Sequence, residues 1–256
     1  MTTRPIALIT GGSRGLGRNT ALNLARKGVD VVLTYRSRAD EAKAAVAEIE
    51  AAGGRAVAIV LDTGAIATFP AFVAALKKKL HETWERDRFD YLVNNAGTGL
   101  RKPIADTTEE EFDTLMNIHL KGVFFLTQAL LPLINDGGRI INVSSGLARF
   151  SVPGSSAYAM MKGGVEVFTR YLAKELAGRL ITANTVAPGA IATDFNGGHV
   201  RDDAEINRVV AGMTALGRAG VADDIGPMIA SLLSNDNRWL SQASCWHRAA
   251  PLCPHA

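Results

Sequence analysis

Short apolar runs alternate with longer amphipathic stretches along most of the chain. Continuous apolar runs are typical of strands buried on both faces, and amphipathic stretches are typical of the helices that cover them. The pattern predicts strands over residues 5–10, 29–35, 55–62, 90–95, 138–145 and 181–188. It predicts helices over residues 15–27, 39–52, 69–84, 109–133, 156–177 and 222–233. Thr107 or Thr108, with Glu110 or Glu111 three residues later, forms the expected capping box of the fourth helix.

This alternation predicts an α/β fold with a doubly wound parallel sheet and helices on both of its faces. We expect a single domain over residues 1–240 and an atypical tail over residues 241–256. Ligands of such sheets bind beyond the carboxyl ends of the strands. The turns that lead from strands into helices are therefore the places to search for functional residues.

Composition narrows the class of protein. The 256 residues include 28 Lys and Arg against 25 Asp and Glu, and the net charge of +3 argues against a nucleic-acid binder. No apolar run has the length of a membrane span, and the N-terminus lacks the features of a signal peptide. Cys245 and Cys253 indicate neither a disulfide framework nor a metal cluster. We therefore expect a cytoplasmic protein without a metal site.

A glycine-rich turn, TGGSRGLG, follows the first predicted strand. Gly11, Gly15 and Gly17 lack a Cβ atom, which lets the backbone turn tightly and approach a diphosphate at the start of the next helix. Their spacing, G-x-x-x-G-x-G, departs from the usual dinucleotide fingerprint. The turn predicts a dinucleotide site, and a plain glycine turn is the alternative.

The second strand ends in TYRSR, at a point where a cofactor with a free ribose hydroxyl would require an acidic residue. Tyr35, Arg36 and Arg38 occupy this segment instead, and Arg14 in the glycine turn adds another guanidinium. Guanidinium groups match the geometry of a phosphate. The segment favours a 2′-phosphate and hence NADP(H), unless these arginines are ordinary surface residues.

Polar residues also end the next three strands. Asp62 is suited to accept a hydrogen bond from an adenine amino group. In NNAG, small residues allow a ribose and nicotinamide to approach the backbone, and Asn94 either ties neighbouring strands together or contacts the ligand. Ser145 ends the fifth strand without a G-x-S-x-G elbow or a triad pattern. We expect Ser145 to donate a hydrogen bond to a substrate oxygen rather than to act as a nucleophile.

Tyr158 and Lys162 lie four residues apart and share one face of a predicted helix. A free tyrosine has a pKa of about 10, and a nearby ammonium lowers that pKa, which makes the phenol a usable general acid. Alone, such a pair is most often an ordinary exposed helix face. Together with the glycine turn, NNAG and Ser145 in this order, the pair predicts a proton donor and its tuning group.

In combination, TGGSRGLG, NNAG, Ser145, YAMMK and NTVAPGAIAT resemble the single-domain short-chain dehydrogenases/reductases, above all their 3-oxoacyl-acyl-carrier-protein reductase-like members. The resemblance implies a Rossmann-like fold in which Tyr158 transfers a proton, Lys162 lowers its pKa and binds ribose hydroxyls, and Ser145 orients the carbonyl. The cofactor-binding residues expected from the turns and the resemblance together are Gly11, Ser13, Arg14, Gly15, Leu16, Gly17, Tyr35, Arg36, Ser37, Asp62, Thr63, Asn95, Ala96, Gly97, Ile118, Tyr158, Lys162, Pro188, Gly189, Ile191 and Thr193.

His119, in the string HLKGVFF, is a departure from the family pattern, which has an asparagine at this place. In the family this asparagine is linked to a proton-relay water largely through its backbone carbonyl, and a histidine retains that carbonyl. His119 therefore either joins the relay, since its ordinary pKa lies near neutrality, or is a packed side chain that fills the space.

The C-terminus is a second departure. The family normally ends with a seventh strand that helps to build a homotetramer, but after Trp239 the chain has two prolines and no β-branched residue. We expect no good strand in this segment, which puts the tetramer in question. A homo-oligomer, either a dimer or a tetramer, is still the expected assembly.

The sequence as a whole predicts an NADPH-dependent reductase of a small-molecule ketone or aldehyde, in which hydride passes to the carbonyl carbon and Tyr158 protonates the oxygen. Residues 195–213 are expected to form a lid with Gly197 and Gly198 as its hinge. An NAD-dependent alcohol or sugar dehydrogenase and a non-catalytic dinucleotide sensor are the alternatives.

Overall fold

The computed structural model describes residues 4–242 and 244–246. Within these residues, seven parallel strands form one sheet in the order β3-β2-β1-β4-β5-β6-β7. The strands are β1 (Ile6–Ile9), β2 (Asp30–Tyr35), β3 (Ala56–Val60), β4 (Phe89–Asn94), β5 (Ile134–Val143), β6 (Thr182–Ala187) and β7 (Ser244–Trp246). The chain winds outward from β1 in one direction and then from β4 in the other. The predicted doubly wound parallel sheet is confirmed.

Helices cover both faces of this sheet. They are α1 (Gly15–Arg26), α2 (Ala39–Ala51), α3 (Phe69–Trp84), α4 (Glu109–Met116), α5 (Gly122–Leu130), α6 (Ser156–Glu175), α7 (His199–Asp202), α8 (Ala204–Met213) and α9 (Gly226–Leu232). The domain boundary at residue 240 stays a prediction. None of the helices in the described part of the chain combines the length and the apolar character that crossing a membrane requires.

Strands β1 to β6 supply residues to two separate core layers. On β1, Ala7 and Ile9 face the layer formed with α1, α2 and α9, whereas Ile6 and Leu8 face the layer formed with α3, α5 and α6. Successive side chains of a strand point to opposite faces. A strand that is covered on both faces is therefore apolar at every position, which explains the continuous apolar runs in the sequence.

The long helix predicted over residues 109–133 is interrupted. A π-helical turn, Asn117–Lys121, separates α4 from α5, and a 3₁₀ turn follows α5. At the start of α5, a Cβ atom on Gly122 would overlap the carbonyl oxygen of Thr63, so the helix approaches the turn after β3 at this point. The capping box at the start of α4 is confirmed for Thr108 and Glu111.

The expectation that no strand follows Trp239 is wrong. β7 pairs in parallel with β6, and Thr185, Val186 and Ala187 face Ser244, Cys245 and Trp246 along the ladder. The pairing of an edge strand depends on backbone hydrogen bonds, which any residue except proline can make. Three residues of this kind carry no periodic pattern that a sequence reading could detect.

Candidate active site

The glycine turn connects β1 to α1 and leaves the start of α1 open. Gly11 and Gly15 have φ values of 64° and 53°, in the left-handed region that favours glycine. A Cβ atom on Gly17 would overlap the carbonyl oxygen of Gly11, so the helix packs directly on the turn. Arg14 occupies the N-cap position without a side-chain capping bond, and the first turn of α1 contains no acidic residue. Backbone N–H groups are therefore available for a phosphate, which the helix dipole also favours.

Two arginines lie beside this open helix start. Arg14 and Arg36 are exposed, at the turns that follow β1 and β2, and neither forms an ion pair within the described residues. Tyr35 is the last residue of β2, and Ser13 is buried inside the glycine turn. The donor set of uncapped amides and unpaired guanidinium groups fits a dinucleotide that carries an additional phosphate.

The turn after β3 and the π-helical turn pack against each other. Asp62 accepts a hydrogen bond from the backbone N–H of Gly64 at 2.9 Å. A Cβ atom on Gly64 would lie 3.1 Å from Ile118, and Thr63 lies against Gly122. The structure therefore brings Asp62, Thr63 and Ile118 together, as expected for one end of the cofactor site.

The NNAG segment after β4 is held in place by side-chain hydrogen bonds. Asn94 is buried and donates to Thr127 Oγ1 at 3.0 Å and to Asn142 Oδ1 at 2.8 Å, so it ties strands and helices together. Asn95 donates to the Thr10 carbonyl at 2.9 Å, and its own N–H donates to Thr10 Oγ1 at 2.9 Å. Of the two interpretations of Asn94, the structural role is the one that these contacts support.

Thr10 is a site residue that the sequence reading passed over. Its hydroxyl oxygen accepts from the N–H groups of Asn95 and Ala96, at 2.9 and 3.0 Å, and Thr10 is buried. It therefore links the glycine turn to the NNAG segment. Its position at the start of TGGSRGLG could have marked it as a site residue. Without the fold, however, a threonine with a functional hydroxyl looks the same as an ordinary strand threonine.

Ser145, Tyr158 and Lys162 converge at the carboxyl end of β5. Tyr158 and Lys162 lie on the inner face of α6 and are 9% and 5% exposed. Lys162 Nζ is 5.6 Å from the centre of the Tyr158 ring and donates to the Val143 carbonyl at 2.7 Å. Ser145 shares a hydrogen bond with the Tyr158 phenol. The three groups predicted to act together are adjacent in the structure.

Burial sets the protonation states of this group. Removal from water raises the pKa of Tyr158 above its usual value, and the hydrogen bond with Ser145 offsets only part of this rise. The expected lowering of the Tyr158 pKa by Lys162 is therefore not found, and desolvation determines the direction of the shift. Burial also lowers the pKa of Lys162 to about 8. At neutral pH the phenol holds its proton and the ammonium keeps most of its charge.

His119 lies in the π-helical turn, behind the Tyr158 ring. The two rings are in edge contact, with centres 5.1 Å apart, and a Cβ atom on Gly97 would lie 2.6 Å from the imidazole. Nε2 is 2.7 Å from the Thr98 carbonyl oxygen, and Nδ1 has no partner within the described residues. Burial, together with the charge of Lys162, lowers the pKa of His119 to about 3. The imidazole is neutral at physiological pH.

The segment after β6 closes the site from above. Its first residue, Pro188, accepts a hydrogen bond from the Gly146 N–H at 2.9 Å, and Gly189 follows. Ile191 and Thr193 are buried, and Thr193 lies against Gly15 of the glycine turn. The cofactor-binding residues expected after β6 and the predicted diphosphate turn are therefore neighbours.

The predicted lid begins directly above Tyr158. The Phe195 ring is half-exposed, and its centre is 6.2 Å from that of Tyr158. Asn196, Gly197 and Gly198 all have positive φ values, between 53° and 79°. This run of left-handed residues turns the chain sharply into α7 and α8, at the place predicted for a hinge.

Comparison with known proteins identifies the family of this chain. A family model described as enoyl-(acyl carrier protein) reductase matches residues 11–245. The hydroxynaphthalene reductase-like protein Arp2 of Metarhizium brunneum is 36% identical, and the alignment covers 92% of this chain and 90% of that protein. The chain belongs to the short-chain dehydrogenase/reductase family. The resemblance inferred from the motifs is confirmed.

Solved structures agree with this assignment. The reductase LugOII, which catalyses keto-reduction at C1 in lugdunomycin biosynthesis, is 39% identical with a TM-score of 0.91, over 95% of this chain and 96% of that one. The angucycline C-6 ketoreductase LanV with bound NADP is 35% identical with a TM-score of 0.90, over 94% and 93% of the two chains. The expected oxidoreductase class, with NADP(H) and a carbonyl or hydroxyl substrate, is confirmed.

Proposed function

We propose that this reductase uses NADPH to reduce a ketone on a fused-ring aromatic compound. The observation that carries the proposal is the convergence of Ser145, Tyr158 and Lys162 beside the glycine turn and the NNAG segment. The names of relatives support this substrate class. Hydroxynaphthalene, in the name of one relative, is a fused aromatic compound, and the two solved structures described above are of ketoreductases.

Proton transfer is the task of Tyr158. Its phenol carries a proton at neutral pH, as any tyrosine does, and burial raises its pKa further, so a proton is available for a carbonyl oxygen that becomes an alkoxide. Ser145 Oγ accepts from the Leu147 N–H at 3.2 Å, which leaves its own proton free to orient the same oxygen. The Lys162 ammonium stabilises negative charge on the phenol after the proton has left.

The residues present fit NADPH. The uncapped start of α1 would hold the diphosphate, Arg14 and Arg36 the 2′-phosphate, and Asp62 with Ile118 the adenine end. When bound, NADPH supplies the hydride that the carbonyl carbon accepts. Thr193 and the neighbouring backbone would hold the carboxamide.

We assign His119 a positioning role. Its neutral imidazole fills the space between Gly97 and the Tyr158 ring, and in the tautomer that carries its proton on Nε2 it donates to the Thr98 carbonyl. The unpaired Nδ1 is an acceptor for a hydroxyl group or a water at the site. A role as a charged relay group would require a proton that burial disfavours.

Apolar residues surround the place where substrate would meet Tyr158. Leu100 and Leu147 are partly buried against the small apolar cluster that contains Tyr158, and the Phe195 ring lies near the Tyr158 ring. Met213, at the end of α8, is also exposed. Flat aromatic substrates suit such walls because offset and edge contacts between rings add to the burial of apolar area.

The direct test is a panel of carbonyl compounds monitored by NADPH absorbance. We expect fused-ring aromatic ketones to be reduced faster than a β-keto thioester, a sugar or a simple aldehyde. Tyr158→Phe should lower turnover at least about a hundredfold, since general acid catalysis contributes 10²–10⁴-fold, while NADPH binding is retained. Unchanged turnover in this variant, or no reduction of any ketone by the wild type, would refute the proposal.

Cofactor choice has its own test. Arg36→Asp should shift the ratio of kcat/KM values toward NADH, because a carboxylate repels the 2′-phosphate and suits a free ribose hydroxyl. Arg38→Asp, two residues further along, is the matched control. An unchanged ratio in Arg36→Asp would mean that Arg36 does not select the cofactor.

We also propose that the chain forms a homo-oligomer through the outer surface of α5 and α6. This α5–α6 face consists of Phe124, Gln128, Val167, Phe168 and Tyr171, with exposed apolar side chains that a soluble monomer rarely groups together. The homotetramer and the cytoplasmic location stay predictions.

A further inference from the structure

Glu166 is a buried carboxylate to which the reaction assigns no role. It lies one helical turn beyond Lys162 and two turns beyond Tyr158, so the three residues form one stripe on α6. Its side chain is only 6% exposed. Buried carboxylates require hydrogen-bonding or charged partners, because removal from water penalises the charge. The identity of those partners indicates what Glu166 does.

Both partners of Glu166 belong to the segment that carries Ser145. Ser144 precedes Ser145, is buried, and donates from its hydroxyl to Glu166 Oε1 at 2.9 Å. Arg149 follows the 3₁₀ turn Gly146–Ala148, and its Nε is 3.6 Å from Glu166 Oε2. One carboxylate therefore holds both ends of the turn that begins at Ser145.

Other contacts fix only parts of this turn. Ser144 N–H donates to the Val186 carbonyl at 2.7 Å, and Gly146 N–H donates to the Pro188 carbonyl at 2.9 Å, so both of these backbone bonds lead to the β6 side. The Glu166 contacts connect both ends of the turn to α6, and the Ser144 hydroxyl also lies 3.2 Å from the Lys162 carbonyl oxygen on the same helix. Because α6 also carries Tyr158 and Lys162, these bonds set the position of Ser145 relative to them.

We propose that Glu166 is a positioning residue for catalysis, which holds the Ser144–Arg149 turn so that the Ser145 hydroxyl stays aligned with the Tyr158 phenol. This inference rests on the proposed function, because Ser145 is assumed to orient the carbonyl. In this proposal Ser144 and Arg149 both anchor the turn, because both contact the same buried carboxylate.

Kinetics on variants of the full chain test the inference. Glu166→Leu removes both anchors, and a displacement of this kind should lower kcat for ketone reduction on the order of tenfold, since a misplacement of 1 Å costs up to about a hundredfold. KM for NADPH should change much less than kcat, because Glu166 contacts neither the glycine turn nor the two arginines, Arg14 and Arg36, that would hold the phosphates. Glu166→Gln keeps an acceptor for Ser144 but loses the charge that Arg149 needs, so its loss in kcat should be smaller.

Arg149→Met tests the second anchor at a side chain that is 58% exposed and tolerant of substitution. Its loss in kcat should match that of Glu166→Gln, and the double variant should be no worse than either single one, because both changes break the same contact. Thr169→Val is the matched control on α6. It removes a buried hydrogen bond with Asn142 and should lower the Tm without changing kcat.

Three results would overturn the inference. One is a Glu166→Leu variant with a lowered Tm, like that of Thr169→Val, but with wild-type kcat. The second is wild-type kcat in both Glu166→Gln and Arg149→Met. This result is the decisive one in case Glu166→Leu does not fold. The third is a crystal structure of Glu166→Gln/Arg149→Met with Ser145 in its original place. This crystal structure tests the inference without measuring turnover. It therefore still decides the question if the wild type reduces no ketone and the proposed function fails.

Discussion

Single residues of the site owe their protonation states to burial more than to their neighbours. Tyr158, Lys162 and His119 each have a pKa displaced toward the neutral form, and desolvation is the largest cause in all three. A tyrosine and a lysine one turn apart suggest an activated phenol when they are considered alone. In the folded chain burial instead makes the phenol hold its proton more firmly than a free tyrosine does.

Lys162 should limit activity at alkaline pH. Its pKa is lowered to about 8, so the ammonium loses its proton above that pH and no longer stabilises the phenolate. We expect kcat for ketone reduction to decline above pH 8, measured at saturating NADPH over pH 6–10.

Unfolding does not explain this expected decline. Between pH 8 and 10.5 the unfolded chain binds more protons at Lys162 than the folded chain, so this residue makes the free energy of unfolding rise with pH. Thermal melts across the same buffers separate the two effects. A kcat that stays constant up to pH 10 would show that the Lys162 charge is not required.

His119 should make the fold sensitive to acid. Its pKa is lowered from 6.5 to about 3, so between these values the unfolded chain binds more protons and stability falls as pH falls. From pH 7 to pH 5 the loss is about 2 kcal/mol. Urea unfolding at both pH values should show this loss in the wild type and not in His119→Asn. His81→Asn, at an exposed side chain, is the matched control, and an equal loss in all three proteins would contradict the assignment.

At the scale of elements, close packing between turns and helices shapes the site. The π-helical turn inserts His119 between Gly97 and Tyr158, at the point where Gly122 meets the Thr63 carbonyl. π-helical turns of this kind occur often at functional sites. The contact between α1 and the glycine turn is equally close and can be tested by one methyl group.

Gly17→Ala should weaken both stability and NADPH binding. The new Cβ would overlap the Gly11 carbonyl, so α1 must move away from the turn that would hold the diphosphate. We expect a loss of about 1–3 kcal/mol in the free energy of unfolding and a higher Kd for NADPH by fluorescence. Gly163→Ala is the control, since nothing lies within 4 Å of its Cβ and alanine favours the helix. Equal behaviour of the two variants would contradict the packing argument.

At the scale of the whole molecule, the two core layers stabilise the sheet and leave an apolar surface on α5 and α6 uncovered. On the α5–α6 face, Tyr171 is 63% exposed and Phe124 is 42% exposed. The Phe124 ring packs on Phe168 with centres 4.9 Å apart, so the surface is already ordered. Such a face is suited to a second copy of the chain.

Tyr171→Asp should convert the proposed oligomer into a smaller species, because a charge buried in an apolar interface has no partner there. Light scattering coupled to gel filtration measures the molar mass of both proteins. Ile104→Asp changes an even more exposed apolar residue outside this face and should leave the molar mass unchanged. A monomeric wild type would refute the proposed assembly.

Several features could be predicted from the sequence because they depend on local patterns. The six long strands are apolar at successive positions, since both faces of the sheet are covered. The glycine turn, Ser145, Tyr158 and Lys162 stand at fixed positions relative to these strands, so parallel pairing alone brings them to one edge. The capping box of α4 likewise depends on only a few neighbouring residues.

Other features were decided by contacts between distant parts of the chain. The π-helical turn, the short strand β7 and the link from Glu166 to the Ser145 turn all depend on groups far apart in sequence. The direction of the Tyr158 pKa shift depends on how completely the fold excludes water from the phenol. The sequence thus determined which chemical groups reach the site, whereas the tertiary structure decided their protonation and alignment, because both depend on burial and on long-range packing.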